Sequence, residues 1–159
     1  MRSSDLWPST WQATMATYDQ DFYTWTMEQA QLLRERRLSE LDIENIAEEL
    51  EDMGKSQARA LGSQLDRLIA HLLKWCYQPN QRQQSEHSWR ASIRNARQEI
   101  EETLFENPGL KPLLPEFFRK AYSKGVNWAV IETNLPESTF PTECPWTLEQ
   151  VLNPDFWPQ

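Results

Sequence analysis

The chain has 159 residues, 25% of them charged and 39% apolar, which suits one globular domain with a real core and excludes a disordered chain. Its net charge of −8 argues against nucleic acid as a partner, because phosphate neutralisation supplies most of that affinity. With 4 glycines and few β-branched runs, it lacks the frequent turns of a sheet protein.

Residues 1–17 read as an irregular arm, with Trp7 or Trp11 pinning it to the body, and 18–159 as a single helical domain. MRSSDLWPSTW lacks the apolar core of a signal peptide. Asp19 is the expected N-cap of the first helix, with Tyr18 and Tyr23 as a hydrophobic staple across it. That helix runs to about Arg36 with Phe22, Trp25, Gln29, Leu32 and Leu33 inward, and its closing RERR complements the helix dipole.

The longest helical pattern follows, from Leu41 to Tyr77. Apolar residues recur at steps of three and four, through Ile43, Ile46, Leu50, Met53, Leu61, Leu65, Leu68 and Leu72, which predicts one buried stripe. Gly54 and Gly62 each weaken a helix by about 1 kcal/mol relative to Ala, so a break is expected near Gly54 to Gln57. Pro79 closes the segment, and QPNQRQQS reads as a loop. Ser85 or Ser88 then caps a helix with Trp89, Ile93, Ala96, Ile100 and Leu104 inward, ended by Asn107-Pro108-Gly109. Another spans about Leu113 to Thr133, with Pro115 either in its first turn or marking a kink. The tail from Leu135 carries five prolines and two tryptophans. Thr147 and Gln150 have capping-box spacing, so a short helix is expected at Leu148–Leu152. The rest of the tail reads as extended, anchored by Phe140, Trp146, Phe156 and Trp157.

The fold read from these elements is all-α: a single-domain bundle of about five main helices with an extended proline- and tryptophan-rich C-terminal tail. No run has the length of a transmembrane helix, so no membrane is expected. Cys76 and Cys144 form no C-x-x-C pair and read as reduced thiols of a cytoplasmic protein.

Between Glu40 and Asp52 there are seven carboxylates and no cation. Glu44, Glu48 and Glu51 share one helix edge and are candidate ligands for Mg²⁺ or Mn²⁺. No Glu-x-x-His supports a di-iron site. Arg90, Arg94 and Arg97 repeat the same spacing, so the two stripes can also face each other as a ladder of ion pairs, which is the favoured reading. From Lys55 to Arg97 eight cations stand against two carboxylates, 8 − 2 = +6, with Trp75 and Trp89 available to stack on bases. The plainer reading makes these cations partners of the chain's own acids. His71, Lys74 and Trp75, in HLLKW, join Trp89 and Arg90 as candidate binding residues. Against the Arg-x(4–6)-His spacing of HEPN ribonucleases, Arg67…His71 is one residue short, while Arg82…His87 fits in spacing but begins in a loop and lacks the polar residue that usually follows the arginine.

YDQDFYTWTMEQAQLLRERRLSELDIENIAEELEDMG, then HLLKW, SWRASI and ESTFPTECPWTLEQVLNPDFWP, together resemble the domain-of-unknown-function family 29 (DUF29) over nearly all of Tyr18 to Pro158. The resemblance implies an all-helical domain in a bacterial, mainly cyanobacterial, cytoplasmic protein, and it implies no activity. One departure is Gly109, where the family tends to have a serine, a weaker cap before the LKP stretch. The functional reading adopted is a small protein-interaction or regulatory module without catalysis or cofactor, its partner a protein. The alternative is an Mg/Mn-dependent hydrolase of nucleotides or phosphate esters using Glu44, Glu48 and Glu51. Biochemical activity, partner and oligomeric state are not encoded in any motif found.

Overall fold

The computed structural model describes residues 17–159. The expected N-terminal arm, with Trp7 and Trp11, lies outside the described residues. Those described form helices α1 (Phe22–Arg34), α2 (Ile43–Tyr77), α3 (Pro79–Glu106), α4 (Leu114–Thr133) and α5 (Leu148–Leu152), with 3-10 turns at Leu38–Glu40, Pro108–Leu113 and Glu137–Thr139. Among them there is no strand, so the chain is all-α. None of these helices is long and apolar enough to cross a membrane. The described residues divide into two compact units, the first ending at Met53 and the second running from Gly54 to Gln159.

In the first unit, Asp21 and not Asp19 caps α1: its carboxylate accepts from the Thr24 amide at 3.0 Å. That start places Tyr18 edge-on to Trp25 at 4.9 Å and to Phe22 at 5.6 Å, so Tyr23 is no staple and stands exposed. Trp25, Gln29 and Leu32 are buried as expected, whereas Phe22 and Leu33 are about half exposed. The helix ends in a Schellman arrangement: Arg36 sits at φ 58°, its amide bonds Leu33 O at 3.1 Å, and the Arg37 amide bonds Leu32 O at 2.9 Å.

Helix α2 runs unbroken for 35 residues, through both Gly54 and Gly62. The expected break is absent because the flanking Glu, Lys, Gln, Ala and Leu residues are strong helix formers, and Glu51 stands four residues before Lys55 in the favourable order.

In the second unit, Leu61, Leu65, Leu68, Ile69, Leu72 and Leu73 are fully buried and form the floor of the core. Helix α3 covers it with Ile93, Ala96 and Ile100, and α4 with Ala121, Val126 and Ala129. Gly125 is where α4 comes closest to α2: a Cβ there would lie 2.5 Å from Ile69 Cγ2. The segment read as a loop is helical from Pro79, because proline suits a first helical turn. Of the expected starts at Ser85 or Ser88, Ser85 does mark a boundary: its non-helical φ −122° and ψ 15° kink α3 between two helical stretches. Pro115 does lie in the first turn of α4, and the Thr147–Gln150 capping box is present on α5.

Candidate functional site

The carboxylate-rich first half of α2 has two faces with different partners. Asp42, Asn45 and Glu49 serve the contact with α1. Trp25 Nε1 donates to Asp42 Oδ2 at 3.0 Å, the Asp42 amide donates to Gln29 Oε1 at 2.8 Å, and Asn45 Nδ2 donates to Asp42 Oδ2 at 2.8 Å. The Asn45 bond, reinforced by Trp25, holds Asp42 below the usual carboxylate range, although partial desolvation opposes it. The Tyr18 hydroxyl donates to Glu49, and that bond together with nearby carboxylates pushes the phenol up to about 12. Glu40 pairs with Arg37.

The other face is open. Ile43 and Leu50 on it are both 63% exposed, and Met53, which falls on the Asp42–Glu49 side, is 66% exposed, so the buried stripe expected along the whole of α2 exists only from Leu61 onward. Ile43 and Leu50, seven residues apart, lie within about 20° of each other around the helix. Glu44, Glu48 and Glu51 form the edge beside them, also exposed. Among the described residues no three His, Cys, Asp or Glu side chains come together to hold a metal ion.

The arginine stripe has partners other than this acidic edge. Arg97 is only 5% exposed, and its guanidinium donates to three tail carbonyls: Nε to Val151 O at 2.8 Å, Nη2 to Phe156 O at 2.8 Å and Nη1 to Pro154 O at 3.5 Å. Burial pushes Arg97 down to about 10, still charged at neutral pH. Arg90 bonds Glu86 and lies 4.6 Å from the Trp157 ring and 5.2 Å from that of Trp75. Arg94 lies 5.9 Å from Trp157. Trp75 is buried, packs against Trp157 at 5.1 Å and donates its indole N–H to Pro158 O at 2.9 Å. Trp89 packs against the core. Trp75 and Arg90 are therefore engaged in a clasp around residues 151–158, not arrayed for bases. Arg82 donates to Trp75 O and lies over its ring, and Arg67 pairs with Glu99, so both arginines of the ribonuclease-like spacings serve structure.

His71 lies half-buried on α2, with Lys74, Arg67 and Glu132 as its charged neighbours. Lys74 pairs with Glu132. Desolvation first, and then Lys74 and Arg67, push His71 down to about 4 against the partial opposition of Glu132, so the imidazole is neutral at pH 7. A folded value below the unfolded 6.5 means that the unfolded chain binds more protons between those two values. Stability is then fully present above about pH 6.5 and falls as pH drops toward 4. After discounting for partial exposure, the loss expected from this group is about 1–2 kcal/mol. Urea unfolding at pH 7.5 and pH 5 should show a smaller drop for His71→Gln than for the wild type; equal drops would place the titration elsewhere.

A family model described as "Domain of unknown function DUF29" matches residues 17–157. No curated protein and no solved structure matches the chain.

Proposed function

Because the chain belongs to the DUF29 family, whose description assigns no activity, we propose a function from its own surface: a non-catalytic interaction module that receives a basic amphipathic segment of a partner protein on the first half of α2. The observation that carries this is the exposed pair Ile43 and Leu50, flanked by exposed Ala47 and, beyond it, the carboxylate edge of Glu44, Glu48 and Glu51. A helix that presents an apolar stripe to water on one side and an acidic edge beside it matches a segment of the same periodicity and opposite charge. A second copy docking by the same face would bring carboxylates onto carboxylates, which disfavours self-pairing there. Cys76 and Cys144 are free thiols, and burial pushes both up, with Cys76 at about 11, so they stay protonated. Two unpaired cysteines support a reducing, cytoplasmic setting.

The test uses defined probes. A synthetic helical peptide with a leucine stripe flanked by lysines should bind the wild-type protein. A scrambled peptide of the same composition should bind at least about tenfold more weakly, a difference of about 1.4 kcal/mol. Leu50→Asp should weaken the amphipathic peptide by a similar factor while the melting temperature holds, since the side chain is exposed. Equal affinity for both peptides, or no response to Leu50→Asp, would overturn the docking face. A wild-type dimer that Leu50→Asp converts to monomer would assign the face to a second copy instead.

A further inference from the structure

A second surface lies on different residues, within 54–159. Helices α2 and α4 border a groove of about 500 Å³, inside the size range of small-ligand sites. Each helix gives it two cations one turn apart: Lys55 and Arg59 from α2, Lys120 and Lys124 from α4. Asp66 is the one carboxylate in the lining, so the balance is 4 − 1 = +3, in a chain whose net charge is −8. Local charge of that sign gathers anions whatever the net charge of the molecule.

On the α4 side of the groove the intramolecular neutralisation of Lys120 and Lys124 is weak. Lys120 pairs with Glu116 at 2.7 Å, but both side chains are more than half exposed, a setting in which a pair is worth little. Lys124 lies 4.0 Å from Asp66, at the limit of an ion pair.

Gly62 is the second observation. It stands in a helix interior, where glycine costs about 1 kcal/mol relative to Ala. The chain's own packing does not require it, because a Cβ there would meet nothing within 4 Å. The missing side chain keeps the groove open at that point. Gly125, on α4, is the contrast: there Ile69 leaves no room for a Cβ.

Asp66 narrows the ligand class. Its carboxylate is 13% exposed, and desolvation raises it, with Lys124 acting in opposition. A carboxylate is misplaced in a site for bare phosphate. It suits a ligand with hydrogen-bond donors at the end away from its negative charge. Phe117 adds an aromatic side chain to the lining, and Ser63 adds a hydroxyl. We infer that this groove binds a nucleotide, with its phosphates among Lys55, Arg59, Lys120 and Lys124 and its base or sugar donors toward Asp66 and Phe117. The positioning follows from the preference of phosphate for clustered Arg and Lys and of a flat ring for an aromatic face.

Calorimetric titration of the full chain at low salt, with ADP, GDP and pyrophosphate as probes, tests this. At least one nucleotide should bind, and pyrophosphate should bind at least tenfold more weakly. Arg59→Gln combined with Lys124→Gln should weaken the nucleotide at least tenfold. Gly62→Leu should abolish binding while the melting temperature stays level or rises, because leucine is the better helix former. That opposite movement separates a filled groove from a misfolded one. No binding of either nucleotide at millimolar concentration overturns the assignment, as does binding indifferent to Gly62→Leu. Equal affinity for pyrophosphate would make this a bare polyanion site and overturn the nucleotide. Self-association that Gly62→Leu abolishes would give the groove to an acidic segment of a second copy.

Discussion

Removing Pro145–Gln159 should lower the melting temperature by about 10 °C and expose apolar surface to a hydrophobic dye. The segment holds Val151, fully buried, and Trp157 packed on Trp75. Full burial of a side chain of that kind contributes about 1.5–3 kcal/mol. The segment also supplies the carbonyl acceptors of the three Arg97 hydrogen bonds and the acceptor for the Trp75 indole. Without the segment these donors exchange protein acceptors for water, a net loss of about 0.5–1.5 kcal/mol per bond and about 1.5–3 kcal/mol where the donor is charged. The entropy of ordering some fifteen residues opposes these gains. The segment's three prolines, Pro145, Pro154 and Pro158, reduce that entropy by limiting the unfolded tail. A net loss of about 3 kcal/mol corresponds to about 10 °C in a chain of this length. A truncated protein that melts unchanged, with no added dye binding, would show that residues 145–159 contribute nothing to the fold.

Local chemistry in the sequence located most elements. The capping box at Thr147 and Gln150, the stop at Asn107-Pro108-Gly109 and the proline in the first turn of α4 each act over three or four residues, so sequence alone exposes them. Long-range partners were not legible. The spacing of Arg90, Arg94 and Arg97 matched an acidic stripe and suggested an ion-pair ladder. In the structure Arg97 bonds backbone carbonyls. Every residue carries such an acceptor, so no residue type marks them. Periodicity likewise showed that Ile43, Leu50 and Leu61 share a stripe. It could not show that the core covers Leu61 and leaves Ile43 and Leu50 in water. The groove is half legible in the sequence: Lys55 and Arg59 belong to the basic run from Lys55 to Arg97, while Lys120 and Lys124 come from a separate helix, α4, that only folding brings beside them.

Arg97→Met should cost about 3 kcal/mol in the intact chain. The guanidinium fork serves carbonyls at three points of the tail, Val151, Pro154 and Phe156, and its plane lies 5.6 Å from the Trp157 ring. Hydrogen bonds to a charged group are each worth about 1.5–3 kcal/mol. Part of that is offset by no longer burying a charge whose only cause of shift is desolvation, with no carboxylate contributing. Arg97→Lys should recover little, because an ammonium on a flexible stem cannot reproduce three directed bonds, although it keeps the charge. The decisive measurement is a cycle with the truncation. If Arg97 acts through the tail, Arg97→Met in the chain lacking Pro145–Gln159 should cost close to nothing, because the residues that cover and pair the guanidinium are gone. The coupling between the two changes should then be nearly as large as the single effect of Arg97→Met. Additive losses would mean that Arg97 stabilises α3 by some other contact, and that the clasp around residues 151–158 is held by the Trp75–Trp157 pair alone.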